Sequence, residues 1–597
     1  MSGISVNRVG LRTGRMIEQV VRTATPRWAV VGWLVAGAIL VGAGCDGPGS
    51  SPSPGGDGRS GDDVDAAAAA GGVTDQAGGG VVILTQADPA PVAGWTPWEH
   101  TCAWACRNVL DQVLETLAVV LPDGSVEPWL AASITPSSDL QEWTVVLRSG
   151  VTFSDGQALT AAVVKNAFDE FVKEGKATEG LLRDARVTAV DAIGPLTLVY
   201  RLSEPNSGFP ALLAGPVGRV FSVDAARIDA AAFLRNPVGT GPFMFQSWDL
   251  GEDPVLVANP NYWRTGVDGQ ALPVLERLTF RQVADEGERL DALREGQAQI
   301  ITTRDPATVG RAGDGGFTVV SNVENNVGAV VFNMLEPPLD DNRVRRALLL
   351  ASDQRVLIEA TGVGDGTPAA SQWWSPDSIW FSRRVADEWP GPDLDAARAL
   401  LEEYRDDELR TDEEDPGSTI TLSLACTDDP GLSAAMLALV DQWRATGLVD
   451  VEFETVSRSG LVARVMGAVT DRPSFAGDYQ ASCWRLGGES DPSILLGPAV
   501  DPVRTSPLNV SNVEDERLVD LVALVQTSPT LATRQAAVEQ VMLEFVSEVP
   551  ALYLGYGLTA VIGSADVVGV GSWTLPDGRT VVGQVGGVGR YDEVARR

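Results

Sequence analysis

Few residues in this chain could carry catalysis. His100 is the only histidine among 597 residues, so a Ser-His-Asp or Cys-His arrangement has one available base, and metal sites with two imidazoles are excluded. There is no Walker A and no G-x-S-x-G. Gly42-Ala-Gly-Cys-Asp-Gly47 satisfies G-x-G-x-x-G but follows no strand, and reads as chance. His100, Cys102 and Cys106 put three metal ligands within seven residues, but no fourth accompanies them and an exported thiol is more often bridged. Apart from Cys45, the cysteines are Cys102, Cys106, Cys426 and Cys483, which allow three pairings. The spacing of Cys102 and Cys106 suits a local bridge, leaving Cys426 with Cys483. The acidic runs 406–408 and 412–415 lack the alternating spacing and placed glycine of a calcium loop, and read as a solvated insertion. No metal and no cofactor is expected.

The charge balance narrows the partners. Lys+Arg total 45 against 80 Asp+Glu, a formal charge of −35, which repels nucleic acid and anionic lipid surfaces. The cations are nearly all arginine; the lysines are Lys165, Lys173 and Lys176.

The N-terminus reads as an export signal. Arg22 and Arg27 precede an uncharged apolar run, 28–44, that ends in Val41-Gly42-Ala43-Gly44-Cys45. This resembles the lipobox of bacterial lipoproteins, whose cysteine is acylated after cleavage, although Gly42 stands where leucine is usual. Met1 and Met16 are both possible starts. The alternative is a retained helix, but seventeen residues at ~1.5 Å each fall short of a hydrocarbon core of ~30 Å. Residues 45–80, with eleven glycines after Cys45 and almost no large apolar side chains, read as a disordered tether.

From residue 81 onward strand and helix patterns alternate, which predicts an α/β body. Residues 81–84 and 143–147 read as strands, 107–121 as a helical stripe, and Thr160 as the cap of a helix. The glycines of Gly239-Thr-Gly-Pro242 are expected to supply unusual backbone angles.

Several blocks of this body occur in a specific order: Glu127-Pro-Trp-Leu-Ala-Ala-Ser133, Trp143-Thr-Val-Val-Leu-Arg-Ser-Gly-Val-Thr-Phe-Ser-Asp-Gly156, Leu159-Thr-Ala161, Gly239-Thr-Gly-Pro-Phe243, Ala258-Asn-Pro-Asn-Tyr-Trp263, Arg289-Leu-Asp-Ala-Leu-Arg-Glu-Gly296, Val331-Phe-Asn333, Pro337-Pro-Leu-Asp340, Arg343-Val-Arg-Arg-Ala-Leu348 and Asp395-Ala-Ala-Arg-Ala-Leu-Leu401. The set, over about 81–570, resembles the family 5 extracytoplasmic solute-binding proteins, the oligopeptide and dipeptide receptors of ABC importers. The resemblance implies a two-lobed, periplasmic-binding-protein-like α/β fold of the large three-subdomain (cluster C) type with a hinge between the lobes. Lobe I would comprise 81–327, with an inserted subdomain at about 130–236, and lobe II 328–550. Residues 551–597 would return to lobe I and form the C-terminal tail.

It further implies a monomeric, non-enzymatic, extracytoplasmic receptor. Residues 1–44 would be its lipoprotein signal peptide and Cys45 its membrane anchor. It would capture a peptide or small solute in the interlobe cleft for ABC permease and ATPase subunits, with no nucleic-acid partner. A sensory or chaperone-like receptor on the same fold is the alternative, and an extracellular hydrolase a remote one.

By resemblance, the cleft draws on 96–107 and on the loop 483–492. Trp104, Arg107, Trp373, Trp374, Trp484, Arg485, Glu489 and Asp491 are therefore the candidate ligand residues. Peptide receptors place an aspartate a few residues after the loop tryptophan to pair with the ligand's α-ammonium. Here Leu486, Gly487 and Gly488 stand there, with Glu489 or Asp491 as substitutes, while Arg485 offers a guanidinium fork to carboxylate or phosphate.

Overall fold

The computed structural model describes residues 79–91, 94, 95, 97, 104–174, 186–362, 366–467, 476–488, 491–501 and 507–597. The signal segment, the tether up to residue 78, Cys45, His100, Cys102 and Glu489 lie outside them, while Gly80, given above to the tether, opens a strand. Among the described residues no helix is long and apolar enough to cross a membrane.

One ten-stranded sheet runs through both lobes. Its order is Val449–Val456, Ile420–Thr427, Ala481–Gly487, Thr318–Phe332, Ala551–Gly563, Ile300–Thr303, Gly80–Thr85, Arg277–Gln282, Val255–Ala258 and Phe243–Ser247. The two central strands are the longest, at 15 and 13 residues, and pair antiparallel along most of their length. Each feeds two cores. Val327 to Phe332 and Ala551 to Tyr556 are buried in the core of the second lobe. Ala560, Val561 and Ile562 are buried in the cores of the first. Between those ends the ladder loses register, at Val323/Val327 and Val327/Ala329, where the polar run Asn325-Asn326 replaces apolar alternation. A separate four-stranded antiparallel sheet (Ala131–Pro136, Glu142–Leu147, Thr197–Leu202, Val187–Ala192) carries its own core with Trp129, Trp143, Tyr200 and Phe209.

Two of the ordered blocks meet at a buried polar knot. Glu115 accepts from Trp129 Nε1 at 2.7 Å and Trp263 Nε1 at 3.0 Å. Burial pushes its carboxyl above the ordinary range, although both indoles donate to it. Beside it, Arg264 pairs with Asp592 and, at 2.7 Å, with Glu593, and lies 4.8 Å from the centroid of the Trp129 ring. That cluster ties the C-terminal tail to the first lobe.

The helix expected over 107–121 is shorter, Trp104–Leu110. The carbonyls of Gln112 and Val113, which would continue it, accept instead from Phe243 N and Gly241 N. The glycine expectation changes for the same reason. A Cβ on Gly239 would lie 2.0 Å from the Val113 carbonyl oxygen and one on Gly241 2.3 Å from that of Gln112. Closeness of approach, not a left-handed angle, demands glycine there. Thr160 does cap its helix, accepting from Val163 N at 3.3 Å.

Cys426 and Cys483 are joined, linking the Ile420–Thr427 strand to the strand that carries Trp484. Cys106 is also disulfide-bonded.

Two outcomes are expected. Arg264→Met leaves Asp592, 3% exposed, buried without its cation. It should cost about 3–5 kcal/mol in urea unfolding at neutral pH, with the deficit shrinking as falling pH protonates the stranded carboxyl. Replacing Cys426 and Cys483 together by alanine opens a loop of sequence separation 57. Loop-closure entropy then predicts a loss of about 4 kcal/mol, read from the same unfolding curves.

Candidate functional site

Trp104, one of the residues expected at the cleft, is 5% exposed and opens its short helix beside the C-terminal loop. A Cβ on Gly587 would lie 3.3 Å from the Trp104 ring and 3.5 Å from Thr559. Gln584 anchors that loop through bonds from its Nε2 to Thr559, and Gln112 and Asn108 hold it from below. Glu324, on the central strand at the register break, approaches the same loop; its carboxylate lies 3.9 Å from where a Gly586 Cβ would sit. Arg304, at the exit of the Ile300–Thr303 strand, pairs with Glu324 at 2.6 Å, both largely buried.

Arg485 projects from the second lobe. It stands opposite Gly328 in the antiparallel register of Ala481–Gly487 with Thr318–Phe332. Among the described residues its guanidinium makes no ion pair. It is exposed, and desolvation by the surrounding protein is the first cause lowering its pKa, to about 10. Arg304 and Arg458 lower it further and Glu324 opposes them. Trp484, its half-buried neighbour, pairs with Ala329 and leans on the second-lobe core. Gly487 and Gly488 both take positive φ, +78° and +112°, and Gly487 passes so close to the Asn325 carbonyl that a Cβ would lie 2.4 Å from it.

The other candidates fall elsewhere. Arg107 is exposed and forms a surface pair with Asp111 at 3.4 Å. Trp374 is 1% exposed and has no open face; Trp373, 5% exposed, packs on Phe545 at 5.4 Å and lines a small apolar cavity with Leu486 and Tyr553. Asp491 is committed: it caps the helix Pro492–Ala499 and pairs with Arg534 at 2.6 Å, both buried. Its Oδ1 accepts from Arg534 and Ser493, and the residue is 4% exposed. Arg304, Glu324 and Arg458 escaped the sequence reading. The one signal was a charged, asparagine-rich break within an otherwise apolar strand.

The lobes also touch away from the central strands. Ser207 N donates to Gln526 O at 2.7 Å and Ser207 Oγ to Val525 O at 3.0 Å; Ile379 N donates to Asp123 O at 2.8 Å. At Gly208 a Cβ would lie 1.7 Å from Ser493 Oγ and 2.5 Å from Asp491 Oδ1.

This architecture is shared with solved proteins. HbpA2 from Haemophilus parasuis superimposes with a TM-score of 0.70 at 20% identity, covering 87% of this chain and 100% of that one. NikA from Brucella suis, solved with Fe(III)-EDTA, gives 0.66 at 21%, covering 81% and 95%. In sequence, the glutathione-binding protein GsiB of Salmonella paratyphi A is 28% identical over 284 residues, 47% of this chain and 53% of the relative. Its Escherichia coli K12 counterpart is 29% identical over 276 residues, 46% and 52%. The chain thus spans about half the length of the curated relatives it matches. The model of the bacterial extracellular solute-binding proteins, family 5, matches residues 125–504, and with that match over most of its length this chain belongs to that family.

Proposed function

We propose that this protein is the extracytoplasmic substrate-binding lipoprotein of an ABC importer. It would capture a peptide or related small solute between its lobes and deliver it to the permease. One observation carries the reading: the two central strands belong to both lobes and lose register where they cross between them, which gives a hinge beneath a walled cleft. The lobes divide near 327 and again within Ala551–Gly563, whose first residues still pack in the second lobe and whose last residues pack in the first, with 130–236 as the inserted subdomain. A solute that touches both walls binds the closed form better than the open one, and only that difference in affinity can drive closure. Trp104, Trp484 and Arg485 are the side chains proposed to meet it. With Asp491 consumed by Arg534, selection of a free α-ammonium has lost one of its two substitutes.

Closure should therefore depend on Gly208. Gly208→Val places methyl groups where Ser493 and Asp491 sit, at an overpacking cost of about 1–3 kcal/mol confined to the closed form. The expected result is a chain of unchanged melting temperature whose affinity for solutes from the low-molecular-weight fraction of yeast extract falls about 5- to 100-fold. Its small-angle scattering radius should no longer shrink when that fraction is added. An unaltered affinity, or a parent chain whose radius ignores the solute, would rule out hinge closure.

The anchor is testable apart from the cleft. Two or more acyl chains give stable attachment where one is marginal, so Cys45→Ala should yield an unacylated precursor or a shed form by mass spectrometry. Unchanged mass with full membrane retention would point to a retained helix.

A further inference from the structure

A small cavity in the second lobe is walled by Trp373, Leu486, Ser511, Val513, Phe545 and Tyr553 among others, and its volume is about 20 Å³. Trp373 and Tyr553 are 5% and 1% exposed, yet neither the indole Nε1 nor the phenol oxygen makes a hydrogen bond among the described residues. The indole acts on the phenol as a neighbouring donor, but the pair falls short of hydrogen-bond geometry. Packing holds both rings where they are. Tyr553 stacks on Trp389 with centroids 4.7 Å apart, and Trp373 packs on Phe545 at 5.4 Å and on Trp374 at 6.2 Å. Buried polar atoms without a partner are rare in folded proteins, because each has given up its hydration for nothing.

The same wall supplies an acceptor. Ser511 Oγ donates to the Pro550 carbonyl at 2.9 Å, which uses the hydroxyl's one hydrogen and leaves its lone pairs free to accept. Burial raises the Tyr553 phenol above its ordinary value, so it stays a donor. Two donors and one acceptor therefore surround the cavity. A buried water needs ~10–15 Å³ and two to four polar partners, and this space meets both conditions for one molecule. No arginine or lysine is among the described residues that line it, so an anion of similar size would be buried without a counter-charge.

We infer that this cavity is the binding site of a single structural water, which accepts from Trp373 Nε1 and from the Tyr553 hydroxyl and donates to Ser511 Oγ. The water links three stretches of chain: the segment that carries Trp373, the central strand Ala551–Gly563 and the segment 507–513. Leu486, from Ala481–Gly487, belongs to the same wall, so the water also supports the strand that carries Trp484 and Arg485. The site is independent of the solute and of the receptor reading.

The test compares the full chain with two variants. Val513→Ile adds one carbon to the cavity wall and alters no polar group. Oxygen-17 magnetic relaxation dispersion, which counts waters held longer than the protein takes to tumble, should register about one fewer in that variant than in the parent. Tyr553→Phe keeps the ring and removes one donor. With the water in place this variant loses a hydrogen bond and should melt roughly 2 °C or more below the parent; with a dry cavity it sheds a hydroxyl buried alone and should melt above it. An unchanged water count in Val513→Ile would overturn the assignment and leave a dry cavity or a direct indole–phenol contact. So would a Tyr553→Phe chain that melts at or above the parent. If Val513→Ile does not fold, the direction of the Tyr553→Phe shift decides.

Discussion

The fold depends on a double demand made of two strands. Thr318–Phe332 and Ala551–Gly563 must pair well enough to hold ten strands in one sheet, and must yield somewhere along their length. A continuous ladder of buried β-branched residues would satisfy the first demand and defeat the second, since packed cores resist gradual deformation. The sequence meets both by dividing each strand. Ala551–Gly563 sinks its two ends in different cores, whereas Thr318–Phe332 buries Val327 to Phe332 in one core and only leans Val319 on another; between those ends the pairing is irregular in register. Bulged pairing of this kind loosens the ladder locally and increases its twist.

The charged residues around the register break are consequences of that division. Glu324 is charged because it stands where the strand leaves one core and has not entered the next. Arg304 lies beside it because the Ile300–Thr303 strand ends there. Arg485 is carried in by the neighbouring strand, which the Cys426–Cys483 bond fixes two residues upstream.

How much of this the sequence disclosed varied with the physics behind each feature. The ordered blocks identified the fold because they serve it. Trp129 and Trp263 donate to Glu115, and Gly239 and Gly241 press on the carbonyls of Val113 and Gln112. These are close contacts between distant segments that few other residues could satisfy. The cap at Thr160 was readable because capping is local. The site was less so. Asp491 has the right chemistry and a suitable position for a ligand residue, and only the fold reveals that Arg534, 43 residues on, consumes it. Trp373 and Trp374 carry large faces that could stack on a ligand, but burial is a tertiary property and no local pattern distinguishes a core tryptophan from a stacking one. Arg304 and Glu324 lie in different strands, and nothing in either segment announces the other.

The stretch that holds Asp491 shows how position along the chain can mislead. Gly487 and Gly488 take backbone angles that side chains would oppose. Asp491 is 4% exposed, and its Oδ1 accepts from Arg534 and from Ser493. Asp491 and Ser493 face Gly208, where a Cβ would lie 2.5 Å and 1.7 Å from them. Buried ion pairs are poor instruments of stability, because desolvation offsets much of their attraction. The Asp491–Arg534 pair has a second use in this packing: it fixes the position of the surface that Gly208 must meet. An aspartate in a loop expected to offer a ligand partner is in this way committed to holding chain against chain.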